Sequence, residues 1–271
     1  MRKMTHTLLY ATSERVGKMN NQTCQKLHNL RLTGMAEAYQ EICADKSLVT
    51  LSADELITLM VDREDARRNN AKLLRLIHKA SFEQPSAHIS DIDYAEGRML
   101  DRSVVMRLAS CDYISQGRNI VVMGATGSGK SYLACALGIL ACKQLYSVRF
   151  TRMRTLLEDL KMASEFRQNR LIKELKKCNL LIVDDWMLSS VDEKESILLY
   201  DLIHDRELSL GTSTMLCTQY DLKGCALKMT GKIISDAIYD RLENNAFVIN
   251  LSQNPNYPSM REKYGYRLNP I

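Results

Sequence analysis

The 271-residue sequence carries eight cysteines without one C-x-x-C pair, only four prolines, and no apolar run long enough for a membrane. Each shortage excludes something. Cys24, Cys43, Cys111, Cys135, Cys142, Cys178, Cys217 and Cys225 lack metal-finger spacing, and several sit inside apolar runs. They read as small buried hydrophobes of a reducing compartment, and no metal site can be built from them. The longest apolar run, 132–142, is too short to span a bilayer, and residues 1–17 lack the sustained apolar core of a signal peptide. A cytoplasmic protein with no membrane partner is the expectation. Three of the four prolines lie in 254–271, which reads as an irregular tail, while Pro85 ends a helical region.

What is present is ordinary in bulk: 45% hydrophobic and 25% charged residues, as in soluble globular proteins. The net charge of +5 permits contact with nucleic acid without requiring it.

One stretch organises the rest. Gly124-Ala125-Thr126-Gly127-Ser128-Gly129-Lys130-Ser131 matches G-x-x-x-x-G-K-S, the phosphate-cradling loop. The β-branched run Asn119–Met123 before it suits a buried strand, and the Ala/Leu-rich run opened by Tyr132 suits a buried helix. Strand, glycine loop and helix together point backbone N–H groups and a helix N-terminus at phosphates. Residues 124–132 are therefore the candidate nucleotide-binding positions. Lys130 would reach the β- and γ-phosphates, and the Ser131 hydroxyl would ligate Mg²⁺.

Taken in order, residues 1–18 show no periodicity and form a possible extension. Residues 22–44 carry Leu27, Leu30, Met35, Ala38 and Ile42 at roughly helical spacing, broken near Gly34. Ser52 followed by Glu55 opens a second helix in capping-box fashion. Its polar face holds Arg63, Arg67, Arg68, Lys72, Arg75 and Lys79, either a solvated surface or a nucleic-acid contact. Residues 91–94 and 98–109 read as a connector. Strands follow near 147–151, 179–183, 212–218 and 247–251, with helices between them. Residues 143–177 hold ten Lys/Arg against four Asp/Glu, which makes this segment the electrostatic candidate for DNA phosphates through Arg149, Arg152 and Arg154.

The run 179–183 ends in Asp184-Asp185, the pattern of an apolar strand delivering acids at its carboxyl end. Asp184 would support Mg²⁺, and Asp185 would orient or polarise the attacking water. Strands alternating with helices, and a phosphate loop after the first strand, predict a three-layer α/β domain with a parallel sheet. A small helical domain (1–68) precedes it, and the nucleotide domain occupies 69–271.

With these pieces placed, the chain resembles the IstB-like transposition helper ATPases of insertion sequences, relatives of the helicase loader DnaC in the AAA+ class. The stretches 26–36 (KLHNLRLTGMA), 119–136, 180–186 and 236–242 (DAIYDRL) carry the resemblance. It implies a P-loop AAA+ ATPase that uses ATP and Mg²⁺, forms a homo-oligomeric ring or filament on double-stranded DNA, remodels it, and recruits a cognate transposase. It places an arginine finger at Arg241, for which a helix-surface ion pair with Asp240 or Glu243 is the alternative. AAA+ proteins usually carry Glu where Asp185 stands and Asn at the sensor position, for which Gln219 is favoured over Thr218. No full carboxyl-terminal lid is expected. A DnaC-like helicase loader, or a DNA-coating scaffold with little turnover, are the competing functions.

Overall fold

The computed structural model describes residues 21–95, 100–251 and 258–264; the extension 1–18, Arg98 of the connector, and Pro255 and Pro270 of the tail lie outside them. The chain divides into two compact units, Met1–Lys72 and Leu73–Ile271.

In the first unit, helices α1 (Asn21–Asn29) and α2 (Thr33–Ala44) are followed by a 3₁₀ turn (Lys46–Thr50) and the start of α3 (Ala53–Ala80). Ser52 and Glu55 cap α3 reciprocally, as their spacing implies. The helical break expected near Gly34 falls earlier, at Arg31, whose φ is +60°. Leu30 sits in that turn and is exposed rather than inward.

Gly34 has a different task. A Cβ there would lie 2.8 Å from the Glu64 Cα and 2.9 Å from the Arg63 carbonyl oxygen, so α2 and α3 cross backbone to backbone. Leu32, at the N-cap of α2, makes no side-chain cap bond. The cap comes instead from α3. The buried Glu64 carboxylate accepts the Gly34 N–H at 2.7 Å and the Met35 N–H at 3.4 Å. These are orphan donors at the positive end of the helix dipole. Arg67 and Arg68 neutralise the same carboxylate from outside.

The Arg67 guanidinium, with the other bonds to the carboxylate, holds the Glu64 pKa down at about 2 against an ordinary value of 4.5. The corresponding stabilisation is on the order of 2–3 kcal/mol once solvent screening of the arginines is allowed for. It is fully present above about pH 4.5 and is lost as pH falls towards 2. Glu64→Gln should therefore raise hydrogen-exchange rates across 21–72 about thirtyfold at neutral pH and much less near pH 2.5. Equal protection at both pH values would refute the capping role.

The second unit begins with the end of α3, a 3₁₀ turn (Ile89–Asp91), α4 (Arg102–Ala109) and α5 (Asp112–Ser115). The residues read as connector at 100–109 are thus largely helical, capped by Asp101. Next come β1 (Asn119–Met123), α6 (Lys130–Lys143), β2 (Val148–Arg152), α7 (Met153–Met162) and α8 (Glu165–Lys177). The chain continues through β3 (Leu180–Trp186), α9 (Glu193–Glu207), β4 (Ser213–Thr218), α10 (Leu222–Ala226), α11 (Lys232–Asn244), β5 (Ala246–Asn250) and α12 (Met260–Tyr264).

All the strand pairs are parallel, in the order β2-β3-β4-β1-β5. The continuous apolar strands are explained by burial on both faces. Ile120, Val122, Leu180 and Ile182 pack with Leu133 and Leu137 of α6 on one side. Leu181, Val183 and Leu216 pack with Leu156 of α7, Leu199 of α9 and Ile238 of α11 on the other. The result is the three-layer α/β domain expected. In such sheets ligands bind outside the carboxyl ends of the strands, where the chain order reverses. Here that point lies beside β1.

Candidate nucleotide-binding site

The phosphate loop leaves the carboxyl end of β1 and enters α6 through Gly129, whose φ of +88° a side chain would strain. Lys130 is buried, and its ammonium donates to the carbonyls of Gly124 (2.8 Å) and Ala125 (2.9 Å). Burial pulls its pKa below the ordinary value, while Asp184 and Asp185 oppose that pull. An anionic phosphate brought to this loop meets a cation already stripped of water.

The apolar strand β3 delivers the two acids beside the loop. Asp184 is buried, and burial raises its pKa, countered by a hydrogen bond from the Ser131 hydroxyl. A hydroxyl and a carboxylate in mutual contact beside the phosphate loop are the hard oxygen donors that Mg²⁺ takes. Asp185 sits in a bulge, where the pairing of β3 with β4 shifts register between Val183 and Trp186. Its φ is +53°, in the left-handed region. Among residues with side chains, Asp and Asn are enriched there. This gives a local reason why aspartate stands where glutamate is usual.

Two further sequence expectations meet at the loop. Gln219, just beyond β4, accepts a 2.9 Å hydrogen bond from the Thr126 hydroxyl. Tyr132 lines the same cavity as Gly127 and Gly129, and its hydroxyl accepts the His88 N–H at 3.1 Å and donates to Asp91 at 3.3 Å. It ties the 3₁₀ turn to α6. Arg241 lies elsewhere on the unit. Its Nε is 2.7 Å from Glu207 of α9, rather than paired to Asp240 or Glu243. Its guanidinium also donates to the Ala237 carbonyl at 2.6 Å and lies over the Tyr200 ring.

Sequence reasoning missed several residues here. A cavity of about 500 Å³ opens beside the loop, lined in part by Gln84, Ile92, Lys130, Leu133, Arg261 and Tyr264. Its far wall is α12, inside the segment read as irregular tail. The Met260 N–H donates to the Gly127 carbonyl at 2.9 Å, and Lys263 reaches Asp93 at 2.6 Å. Five helical residues thus lie against the loop. Glu83 was missed as well; it pairs with Arg152, whose Nε is 3.9 Å from Asp185.

The three arginines singled out in the basic segment all have partners within the chain. Arg149 donates to the Lys79 carbonyl and the Ser81 hydroxyl, Arg152 serves Glu83, and Arg154 pairs with Glu158. Two of the three brace the nucleotide domain. Among the described residues no cluster of His, Cys, Asp and Glu could hold a metal by itself, and no helix is long and apolar enough to cross a membrane.

Comparison with known proteins identifies the family. Residues 25–265 match the family model of the IstB-like ATP binding protein. The chain is 40% identical over 202 residues to the ATP-binding protein named for insertion sequence IS1162 of Pseudomonas fluorescens, covering 74% of this chain and 87% of that one. It is 35% identical over 231 residues to the insertion-sequence ATP-binding protein y4pL of Sinorhizobium fredii, covering 85% and 93%. Among solved structures, DnaI superposes with a TM-score of 0.54 at 21% identity, over 65% of this chain and 91% of that one. DnaA from Aquifex aeolicus, solved with AMPPCP, gives 0.53 at 21%, over 67% and 54%. These two show the fold alone. With the family model spanning the phosphate loop and both acids, the chain belongs to the IstB-like ATP-binding proteins of insertion sequences.

Proposed function

We propose that this protein hydrolyses ATP in an assembly of its own copies on double-stranded DNA and there recruits or stimulates the transposase of its insertion sequence. The observation that carries the reading is the convergence of Lys130, Ser131 and Asp184 on one loop, in a chain whose relatives are insertion-sequence ATP-binding proteins. Bound ATP supplies the scissile phosphoanhydride, and Mg²⁺ shields its charge. Ser131 and Asp184 would hold the ion, Lys130 would hold the phosphates, and Asp185 would orient the water. Gln219 lies against Thr126, where it would report the state of the phosphates. Arg241 would serve a neighbouring subunit's site.

A scaffold that binds ATP and turns it over slowly is the second reading. It is favoured by the shorter acid at Asp185 and by the engagement of Arg241 with Glu207 within its own chain. A helicase loader draws support from fold likeness alone.

Phosphate release measured with and without duplex DNA separates the first two readings. Stimulation of at least tenfold, with co-sedimentation of the cognate transposase on ATP- and DNA-bound protein, is the expected result. ATP binding and DNA assembly without that stimulation would favour the scaffold. No DNA-dependent sedimentation at all would remove both.

A further inference from the structure

Trp186 closes β3 directly after Asp185, and the backbone on either side of it is uncommon. Asp185 (φ +53°) and Met187 (φ +55°) are both left-handed, although neither is glycine. Such conformations persist only where the surroundings hold them, and they cluster at functional sites. What holds Trp186 is specific. Its ring is buried in the second core, and its indole N–H donates to the Tyr239 hydroxyl at 3.2 Å. Tyr239 belongs to α11 and is itself buried. Its hydroxyl bonds in turn to the Cys225 thiol, which lies 3.2 Å from the Thr218 hydroxyl. Thr218 then accepts the Tyr220 N–H at 3.1 Å. The side chains of Trp186, Tyr239, Cys225 and Thr218 thus form one buried polar chain. Asp185 adjoins one end of it in sequence, and Gln219 adjoins the other.

We infer that Tyr239 is a positioning residue for ATP hydrolysis: its hydroxyl fixes Trp186, and so fixes the left-handed backbone that sets the Asp185 carboxylate. The inference rests on the hydrolysis reading above and adds the group that steadies its acid. Tyr239 does not line the cavity beside the phosphate loop, and it acts through Trp186. A phenylalanine at 239 would fill nearly the same space, so the hydroxyl adds direction rather than volume. Burial pushes the pKa of that hydroxyl above its ordinary value, so it stays a neutral acceptor. An indole N–H can only donate, and a buried donor left without a partner is costly. Removing the acceptor therefore gives the ring cause to shift, and the adjoining peptide of Asp185 shifts with it.

The test is steady-state phosphate release by the full-length protein with duplex DNA, with ATP and Mg²⁺ raised to saturation. Tyr239→Phe should lower kcat about tenfold, the order of one hydrogen bond, and leave KM unchanged. In an Asp185→Asn background the same change should cost nothing further, because its route to the chemistry is already cut. Trp186 is the single tryptophan of the chain, so its emission reads the hydrogen bond directly. That emission should shift in Tyr239→Phe, while affinity for a fluorescent ATP analogue stays at the wild-type value. Should Tyr239→Phe fold poorly, Trp186→Phe removes the donor instead of the acceptor. It should show the same fall in kcat at constant KM.

Wild type without turnover would overturn the hydrolysis reading, and the role of Tyr239 with it. Wild-type turnover matched by Tyr239→Phe would overturn the role of Tyr239 alone. So would an equal further loss in the Asp185→Asn background, since a tyrosine that merely steadies the fold slows both proteins alike. Emission unchanged by Tyr239→Phe would show that the hydroxyl does not hold Trp186, and the assignment would fall.

Discussion

Lys130→Ala should reduce ATP binding by at least about a hundredfold. Hydrogen bonds to a charged group contribute roughly 1.5–3 kcal/mol each, and the ammonium is placed to make more than one to the phosphates. The site is prepared for that exchange, because the ammonium is buried and donates to the Gly124 and Ala125 carbonyls. Titration with a fluorescent ATP analogue measures the effect. Affinity equal to wild type would remove the phosphate-loop assignment. Asp185→Asn is the control: Asp184 and Ser131 remain, and asparagine tolerates the left-handed backbone at φ +53°. It should bind ATP normally and hydrolyse it slowly. If it lost binding as Lys130→Ala does, the roles given to the two acids would be reversed.

How much of this could be read from the residues follows from the range of the interactions. The central strands β1 and β3 were legible because burial on both faces makes 120–123 and 180–183 apolar throughout. The phosphate loop was legible because its backbone needs glycines at fixed offsets. Contacts between residues far apart in sequence left no such trace. The Glu64 cap on Gly34 spans 30 residues and the Arg152–Glu83 pair spans 69. The closure of the loop by α12 depends on a five-residue helix, too short to show a period. The bulge at Asp184-Asp185 was hidden for another reason. Sequence pattern gives the acids at the strand end but carries no information on the sign of φ.

Arg241→Ala distinguishes a finger acting between subunits from a structural arginine, and the geometry makes both jobs concrete. Within its own chain the guanidinium is held by Glu207, the Ala237 carbonyl and the Tyr200 ring, with His204 at 3.4 Å. A purely structural arginine so placed contributes about 1 kcal/mol through a partly buried ion pair, so its loss would lower the melting temperature by a few degrees. It would leave turnover per folded protomer intact. A finger in trans must exchange Glu207 for a neighbour's phosphate, and its loss should lower assembled turnover by on the order of 10³ while ATP binding by the free protomer persists. Mixing decides between them. Arg241→Ala subunits keep an intact phosphate loop and Lys130→Ala subunits keep an intact finger, so interfaces pairing the two should recover turnover that neither variant shows alone. Sedimentation must first show that the two co-assemble. With co-assembly established, no recovery at any mixing ratio would leave Arg241 as the partner of Glu207 and nothing more.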